Sequence, residues 1–190
     1  MIHLKKIIII SSLLTLLLSS KIFATGAGIQ AEIDPGILVN NETKELGKFT
    51  GKIAGTVKLS RIPMAIGFGF EAGKSASSFV YGFSGFADYW AVDLQLKNTL
   101  NFYSGFGAEG SLLTSDFKSW SCAAGARFFL GMNWLFWDNA MEFYAQQNFV
   151  PTYVRSLGSA GNSTAGNGSG GSKGSFIFGL PFDAGVRFHF

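Results

Sequence analysis

The chain has 190 residues, of which 47% are hydrophobic and 14% are charged, and its formal net charge is +3. Three lysines and no acidic residue lie within residues 1–24, so the rest of the chain carries no net charge. This balance excludes the basic surface that a nucleic-acid-binding protein needs, and we expect no nucleic-acid partner. The length is enough for one domain.

The start of the chain has the pattern of a secretory signal peptide. Two lysines precede an apolar run over 7–18, and small residues follow it: Ala24, Gly26 and Ala27. A basic start, a short apolar core and small residues at the exit are typical of such signals. The run is shorter than the roughly 20 residues that a membrane-spanning helix needs. The sequence therefore predicts a signal peptide over 1–24 and one exported domain over 25–190.

Beyond residue 24 the apolar residues alternate with small or polar ones. The segment 63–73 is the clearest, because every second residue from Met64 to Phe70 is apolar and Glu71 lies on the other face. Eight such segments follow one another: 26–38, 49–60, 63–73, 78–91, 97–112, 119–132, 139–154 and 176–190. Alternate side chains share one face of a strand. The pattern predicts an all-β fold, a membrane-spanning antiparallel up-and-down β-barrel of eight strands.

An even number of strands places both chain ends on the same side, which is periplasmic in single-chain bacterial barrels. Three turns are then predicted on that side: 60–63, 92–97 and 137–139. Four external loops are predicted on the other: 39–48, 74–78, 113–118 and 155–174. The fourth consists mostly of Gly, Ser and Asn, a composition that cannot offset its own ordering entropy. We expect it to be a flexible coil.

The last strand carries the most specific pattern in the chain. Its even positions from 176 to 190 are all apolar, and its odd positions are mostly small or polar. The closing FDAGVRFHF resembles the C-terminal assembly signal of bacterial outer-membrane proteins through four residues: Asp183, Gly185, Phe188 and Phe190. The resemblance implies that the barrel assembly machinery recognises the chain and that it resides among outer-membrane lipids.

Alternation also assigns charged side chains to the inside of the barrel: Lys52, Lys58, Glu71, Asp88, Glu109, Arg127, Glu142, Asp183 and Arg187, with Glu32 as a further candidate. An eight-stranded barrel has room for little more than its own side chains, and unpaired buried charges are costly. Because the signs nearly balance, we expect a plug of internal ion pairs. A selectivity path along the same wall is the alternative.

The register of the last two strands depends on where the fourth loop begins and ends, and a slip by two residues is an alternative because the Gly-rich loop does not fix it. If that loop pairs Arg155 with about Gly174, Glu142 lies across from Arg187 on the inward face. Gln146 then lies across from Asp183. Directly opposite residues are close enough for a charge pair.

Aromatic residues with polar edges lie near the ends of the predicted strands: Tyr89, Trp90, Trp120, Trp134, Trp137 and Tyr153. Such side chains suit the headgroup depth of a membrane. We expect them to form interfacial girdles, since eight strands would leave no room for aromatic rings inside.

No catalytic or metal site is predicted. After residue 24 the only histidine is His189, which lies one residue from the end of the chain at the predicted periplasmic rim. A serine hydrolase needs a histidine to take the serine proton, and barrel enzymes that modify lipid A place theirs near the outer leaflet. The sequence has no Cys/His cluster for zinc and no acidic calcium loop. We therefore expect no cofactor.

The signal peptide, the alternating segments and the terminal G-x-x-F-x-F resemble the small outer-membrane barrels of the OmpX, OmpW and OmpA-transmembrane type. The segments ADYW, LNFYSGFGAEG and MEFYAQ look similar to small barrels of spirochaetes. The resemblance implies structural, adhesive or small-solute roles, with no shared catalytic residues. OmpW-like members have a hydrophobic lumen with a lateral exit, and the inward charges depart from that pattern.

The leading hypothesis is a monomeric, non-enzymatic surface barrel with a plugged lumen, whose loops meet an extracellular ligand. The alternative is a narrow channel for small or hydrophobic solutes. A lipid-modifying enzyme comes third, because the chain has no histidine on the predicted outer side.

Overall fold

The computed structural model describes residues 24–35, 49–59, 62–75, 78–159 and 174–190. Residues 1–23 of the predicted signal peptide, the first predicted loop and most of the fourth lie outside these ranges. Within the described ranges, no helix is long and apolar enough to cross a membrane.

The described chain contains nine strands: β1 (Ala24–Asp34), β2 (Phe49–Leu59), β3 (Met64–Ser75), β4 (Ser78–Lys97), β5 (Leu100–Thr114), β6 (Ser119–Phe136), β7 (Met141–Ser159), β8 (Ser175–Gly179) and β9 (Phe182–His189). Their order is β6-β5-β4-β3-β2-β1-β9-β7-β8, and β6 also pairs with β7, so the sheet closes on itself. β8 and β9 pair with β7 in one continuous register and form a single barrel strand interrupted at Leu180 and Pro181. The prediction of an eight-stranded antiparallel barrel is confirmed.

Alternation sets the two faces of the wall. Large apolar side chains such as Ile53, Phe68 and Phe149 are exposed on the outside, whereas Lys52 and Arg127 are buried inside. Neighbouring residues of a strand point to opposite sides, so each strand contributes to both surfaces. An apolar outer surface around a polar interior is the arrangement that hydrocarbon surroundings favour.

The ends of the barrel differ. The terminal end of the barrel holds Ala24 of β1 and Phe190, the last residue of the chain. The turn between β6 and β7 lies at this end, where the sequence predicts it. The predicted turn at 92–97 is wrong, because β4 runs to Lys97 and the turn is at residues 98–99. Register shifts after Trp90 and after Gln95 let β4 keep its pairing with β5 through residues 91–97.

At the loop end, which is the opposite end, β3, β5 and β7 extend further than predicted, whereas β1 ends at Asp34, before the predicted bound at 38. Ser75 pairs with Ser78 across residues 76–77. β5 continues to Thr114 and β7 to Ser159, so the connections at this end are shorter than the predicted loops 74–78, 113–118 and 155–174.

A glutamine side chain closes the break between β8 and β9. Pro181 has no N–H with which to complete the hydrogen-bond ladder to β7. The Nε2 atom of Gln147 lies 3.1 Å from the carbonyl oxygens of Leu180 and Pro181 and 3.3 Å from that of Asn148. The outward-facing Gln147 therefore supplies a donor where the backbone lacks one.

Candidate functional site in the barrel lumen

The lumen half nearer the loop end holds the loop-side cluster, which consists of six charged residues: Glu32, Lys52, Asp88, Glu109, Arg127 and Asp183. Arg127 on β6 is its centre and is 0% exposed. Its Nε donates to Asp88 at 3.0 Å and its Nη2 donates to Asp183 at 2.8 Å. Its Nη1 lies 2.8 Å from a Glu109 oxygen and 3.3 Å from a Glu32 oxygen.

Arg127 and Lys52 together face four carboxylates. The Lys52 ammonium lies 2.6 Å from Glu32 Oε2 and 3.9 Å from Glu109 Oε2. The second contact of Arg127 Nη2 is the Asn148 side-chain oxygen, at 3.3 Å. All three guanidinium nitrogens are therefore engaged, which is the condition under which a buried arginine is tolerated. The four carboxyl groups of the cluster outnumber its two basic groups.

The lumen half nearer the terminal end holds the terminal-side cluster: Lys58, Glu142, Arg187 and His189. Glu142 is its centre and is 0% exposed. Arg187 Nη1 donates to Glu142 Oε1 at 3.2 Å, and Lys58 Nζ lies 3.5 Å from Oε2. His189 Nε2 lies 2.8 Å from the same Oε2 atom. Here one carboxylate contacts two basic side chains, those of Lys58 and Arg187.

The predicted register of the last two strands is confirmed. Glu142 lies directly opposite Arg187, and Gln146 lies directly opposite Asp183. The pairing continues without a shift into β8, where Val154 faces Ser175. Both clusters are thus connected to the same pair of strands.

An aromatic layer lies between the clusters along β6 and β7 and is formed by four buried residues: Trp90, Tyr103, Phe129 and Tyr144. The Trp90 and Tyr103 rings stack with their centroids 4.7 Å apart. Cations from the terminal-side cluster cover the layer, with the Arg187 guanidinium carbon 3.9 Å from the Tyr144 centroid and Lys58 Nζ 3.9 Å from that of Trp90. Such cation–π contacts are strongest where water is excluded.

Two predictions about aromatic residues are therefore wrong. Trp90 does not belong to an outer girdle but lies inside the barrel, and the lumen does hold rings. Trp90 has the parity of Asp88, and its neighbour Tyr89 takes the outward side. The alternation of β4 thus contained the signal that would have placed Trp90 correctly.

Glycines make room for the rings. Each inward ring lies directly opposite a glycine on the neighbouring strand, in five pairs: Phe86 with Gly67, Trp90 with Gly105, Tyr103 with Gly131, Phe129 with Gly105, and Tyr144 with Gly185. A Cβ atom at Gly131 would lie 2.6 Å from Cζ of Tyr103, closer than real Cβ contacts. Glycine in a strand often marks such a close approach. This pairing is why an eight-stranded barrel accommodates an aromatic layer.

The other aromatics predicted for girdles lie on the outer side of the wall. Tyr89 contacts Phe106 with ring centroids 5.5 Å apart, and Trp134 and Trp137 are exposed towards the terminal end. At the loop end Tyr153 contacts Phe176 at 5.2 Å, and Trp120 is half-buried.

The four residues of the predicted assembly signal divide between the two faces. Asp183 is buried in the loop-side cluster, and Gly185 lies opposite the Tyr144 ring. Phe188 and Phe190 are exposed on the outside, the latter at 80%. Asp183 and Gly185, the two inward residues, therefore take part in the packing of the lumen and also belong to the predicted assembly signal.

Glu71 lies outside both clusters. It faces Lys52 across β2 and β3 and lines a cavity of about 90 Å³ at the loop end, together with Glu32, Asp34 and Glu109. A more open pocket at the terminal end is lined by Lys58 and His189, among others. In the part of the chain that the structure describes, no group of three or more His, Cys, Asp or Glu side chains could hold a metal ion.

No family model and no curated protein sequence matches the chain. Among solved structures, Neisserial surface protein A (NspA) is similar with a TM-score of 0.50 and 14% identity over 88% of this chain and 97% of that one. A major outer membrane protein from Thermus thermophilus has a TM-score of 0.42 and 10% identity over 88% of this chain and 99% of that one. The closed barrel and the likeness to the first structure give this chain the fold of the small eight-stranded outer-membrane β-barrels.

Proposed function

We propose that the chain is a non-enzymatic protein of the bacterial outer membrane, with a lumen closed by its own side chains and a loop end available for interactions at the cell surface. The observation that carries this proposal is the three-layer filling of the lumen. Arg127 and Glu142, the centres of the two clusters, are both 0% exposed, and aromatic rings lie between them.

The outside of the wall carries exposed apolar side chains such as Ile53, Phe68 and Phe149, which we call the apolar belt. This belt supports the membrane location. An outer surface that carries Ile53 at 70% exposure and Phe68 at 65% would be unfavourable in water. The predicted signal peptide and terminal pattern add a route to the outer membrane, with the barrel assembly machinery as partner. In that orientation the loop end faces outward and the terminal end faces the periplasm.

The ion pairs support a closed lumen. An ion that crossed the loop-side cluster would have to displace carboxylates from a guanidinium whose three nitrogens all donate hydrogen bonds. Separating buried, paired charges costs several kcal/mol, by order of magnitude. The ion would next meet the stacked Trp90 and Tyr103 rings, which offer few polar atoms to replace the water molecules that it has lost. A conducting path would instead need weak, successive sites.

A narrow channel is the alternative, and the pockets at the two mouths favour it. The loop-end cavity is lined by acidic side chains such as Glu71 and Glu109, and the terminal-end pocket includes Lys58. A rearrangement of the aromatic layer would be needed to join them.

Single-channel recording in planar bilayers separates the two functions. We expect the refolded wild type to give no reproducible conductance steps. The double variant Trp90→Ala/Phe129→Ala should give transient steps, because it removes two rings of the layer. A matched outward variant, Phe106→Ala/Phe128→Ala, should stay silent. Stable steps from the wild type would contradict a closed lumen.

The absence of enzymatic activity has its own test. Lipid A mass profiles of outer membranes with and without the protein should be identical. A lipid A species whose amount depends on the protein would contradict this part of the proposal.

A further inference from the structure

One stretch of the outward wall at the loop end combines rings with lysines. We define it as the aromatic–basic patch, formed by five residues: Lys74, Phe79, Tyr81, Phe117 and Lys118. Lys74 lies directly opposite Phe79 across β3 and β4, and Tyr81 follows two residues later on the same face of β4. Phe117, in the connection between β5 and β6, has its ring centroid 4.8 Å from that of Tyr81. Lys118 is the next residue and is exposed, as is Lys74.

The patch borders the apolar belt directly. Towards the middle of the wall, the Phe83 ring lies 6.1 Å from Phe68 and 6.0 Å from Phe70, and all three rings are exposed. Beyond them the outward residues change to Tyr81 and then to Phe79 and Lys74. A change from purely apolar side chains to rings with basic residues is typical of the headgroup depth of a membrane.

The connection at 115–118 is held by side-chain hydrogen bonds. Thr114 Oγ1 accepts from the Phe117 N–H at 2.9 Å and donates to the Ser119 carbonyl at 2.7 Å. Asp116 Oδ1 accepts from the N–H groups of Ser119 and Lys118 at 2.8 and 2.9 Å, and from Ser119 Oγ at 2.9 Å. These backbone donors lower the pKa of the Asp116 carboxyl from its ordinary value, so it is charged at neutral pH.

The backbone of Phe117 has an energetically unfavourable conformation. Its φ of 58° lies in the left-handed region, which is unfavourable for a bulky residue other than glycine. Its ring is nevertheless 69% exposed, so burial within the protein does little to compensate for that cost. Strain that the surrounding hydrogen bonds maintain is found at binding sites more often than elsewhere.

We propose that the aromatic–basic patch binds the phosphorylated headgroup of a membrane lipid. Lys74 and Lys118 contact the phosphate, and the Tyr81 and Phe117 rings pack on the adjoining glycerol or sugar and on the start of the acyl chain. The connection at 115–118 contributes one carboxylate, Asp116, against the two lysines of the patch, and its Oδ1 atom is already engaged by three donors. A positive surface remains, and lysines near a membrane surface attract anionic lipid.

This inference rests on the proposed membrane location but not on the closed lumen. The test uses the full barrel refolded in micelles of an uncharged, phosphate-free maltoside detergent and titrated with phosphatidic acid, and native mass spectrometry measures the lipid that each protein retains. Parallel titrations use uncharged diacylglycerol and inorganic phosphate. The patch variant is Lys74→Gln/Lys118→Gln. The control variant is Lys97→Gln/Arg155→Gln, which removes the same charge from two exposed positions outside the patch.

We expect the wild type to retain one phosphatidic acid, the patch variant to bind it at least about tenfold more weakly, and the control variant to match the wild type within about twofold. Phe117→Ser should also weaken retention, with both lysines in place. Equal retention of diacylglycerol, or an equal loss in the control variant, would overturn the proposal. Displacement of the lipid by inorganic phosphate at equal concentration would assign the site to the free ion and overturn the lipid assignment. Failure of the wild type to enter lipid bilayers would instead contradict the proposed membrane location.

Discussion

Glu142 on β7 and Arg187 on β9 lie directly opposite each other inside the barrel, with Oε1 and Nη1 3.2 Å apart. The Glu142 side chain is 0% exposed and that of Arg187 is 3% exposed. The guanidinium also covers the Tyr144 ring, two residues along β7 from the carboxylate. One pair of strands therefore connects the terminal-side cluster to the aromatic layer.

The loop-side cluster should depend on its single arginine. We expect Arg127→Met to lower the free energy of unfolding by about 3–5 kcal/mol, because it leaves four carboxylates with Lys52 alone. Urea unfolding in phosphatidylcholine vesicles measures the change. The exposed Arg155→Met is the control, and its effect should stay within about 0.5 kcal/mol. Equal effects of the two substitutions would contradict a central role for Arg127.

The glycine opposite Tyr144 should not accept a side chain. We expect Gly185→Ala to lower the free energy of unfolding by about 1–3 kcal/mol, because the new methyl group displaces the ring. Tyr144 would then lose its 2.8 Å hydrogen bond to Gln30 Oε1. Gly55→Ala is the matched control, since a Cβ there meets only the Phe68 carbonyl oxygen, at 4.0 Å. Similar unfolding midpoints for both variants would argue against the packing of rings on glycines.

Alternation carries most of the fold in this sequence because a membrane barrel exposes its two faces to different surroundings. Arg127, Glu142 and Asp183 lie inside, as alternation predicts. A one-residue slip would turn every side chain to the wrong face, but a two-residue slip keeps every face. Periodicity therefore leaves two registers open, and the structure has the one in which Glu142 pairs with Arg187.

The prediction for Trp90 was wrong because it followed a general preference of tryptophan and ignored the alternation of inward and outward residues along β4. Trp90 was predicted to lie in a girdle because tryptophan is common there, although Tyr89 beside it cannot share its face. The extension of β4 to Lys97 depends on two register shifts that no periodicity reveals. The patch around Phe117 was also missed, since the ring contact of Phe117 with Tyr81 joins the connection between β5 and β6 to strand β4, which is distant in sequence.

The break at Pro181 should depend on Gln147. We expect Gln147→Leu to destabilise the barrel by about 1–3 kcal/mol in lipid, although leucine is more apolar, because carbonyl oxygens of β7 and the last strand lose their donor. Ser104→Leu, another polar-to-leucine change on the outer wall, should be neutral or stabilising. Urea unfolding in vesicles compares them. A stabilising Gln147→Leu would show that the donor is not needed.

Assembly in cells should depend on the end of the chain. We expect deletion of Phe190 to lower the amount of protein in the outer membrane while the detergent-refolded barrel still forms, because the terminal aromatic belongs to the predicted assembly signal. Phe178→Ala, on the outward face of β8, is the control. Immunoblots of membrane fractions measure both. Equal abundance of the wild type and the deletion would contradict the expectation.

The inward charges of this barrel pair with each other instead of lining a water-filled path. A double-mutant cycle on Glu142→Gln and Arg187→Gln, measured by urea unfolding in vesicles, tests this pairing most directly. A parallel cycle on Glu142→Gln and Arg127→Met should give a much smaller coupling, because these residues belong to different clusters. For Glu142 with Arg187 we expect a coupling of about 1–3 kcal/mol, and a coupling indistinguishable from zero would show that the two side chains do not pair.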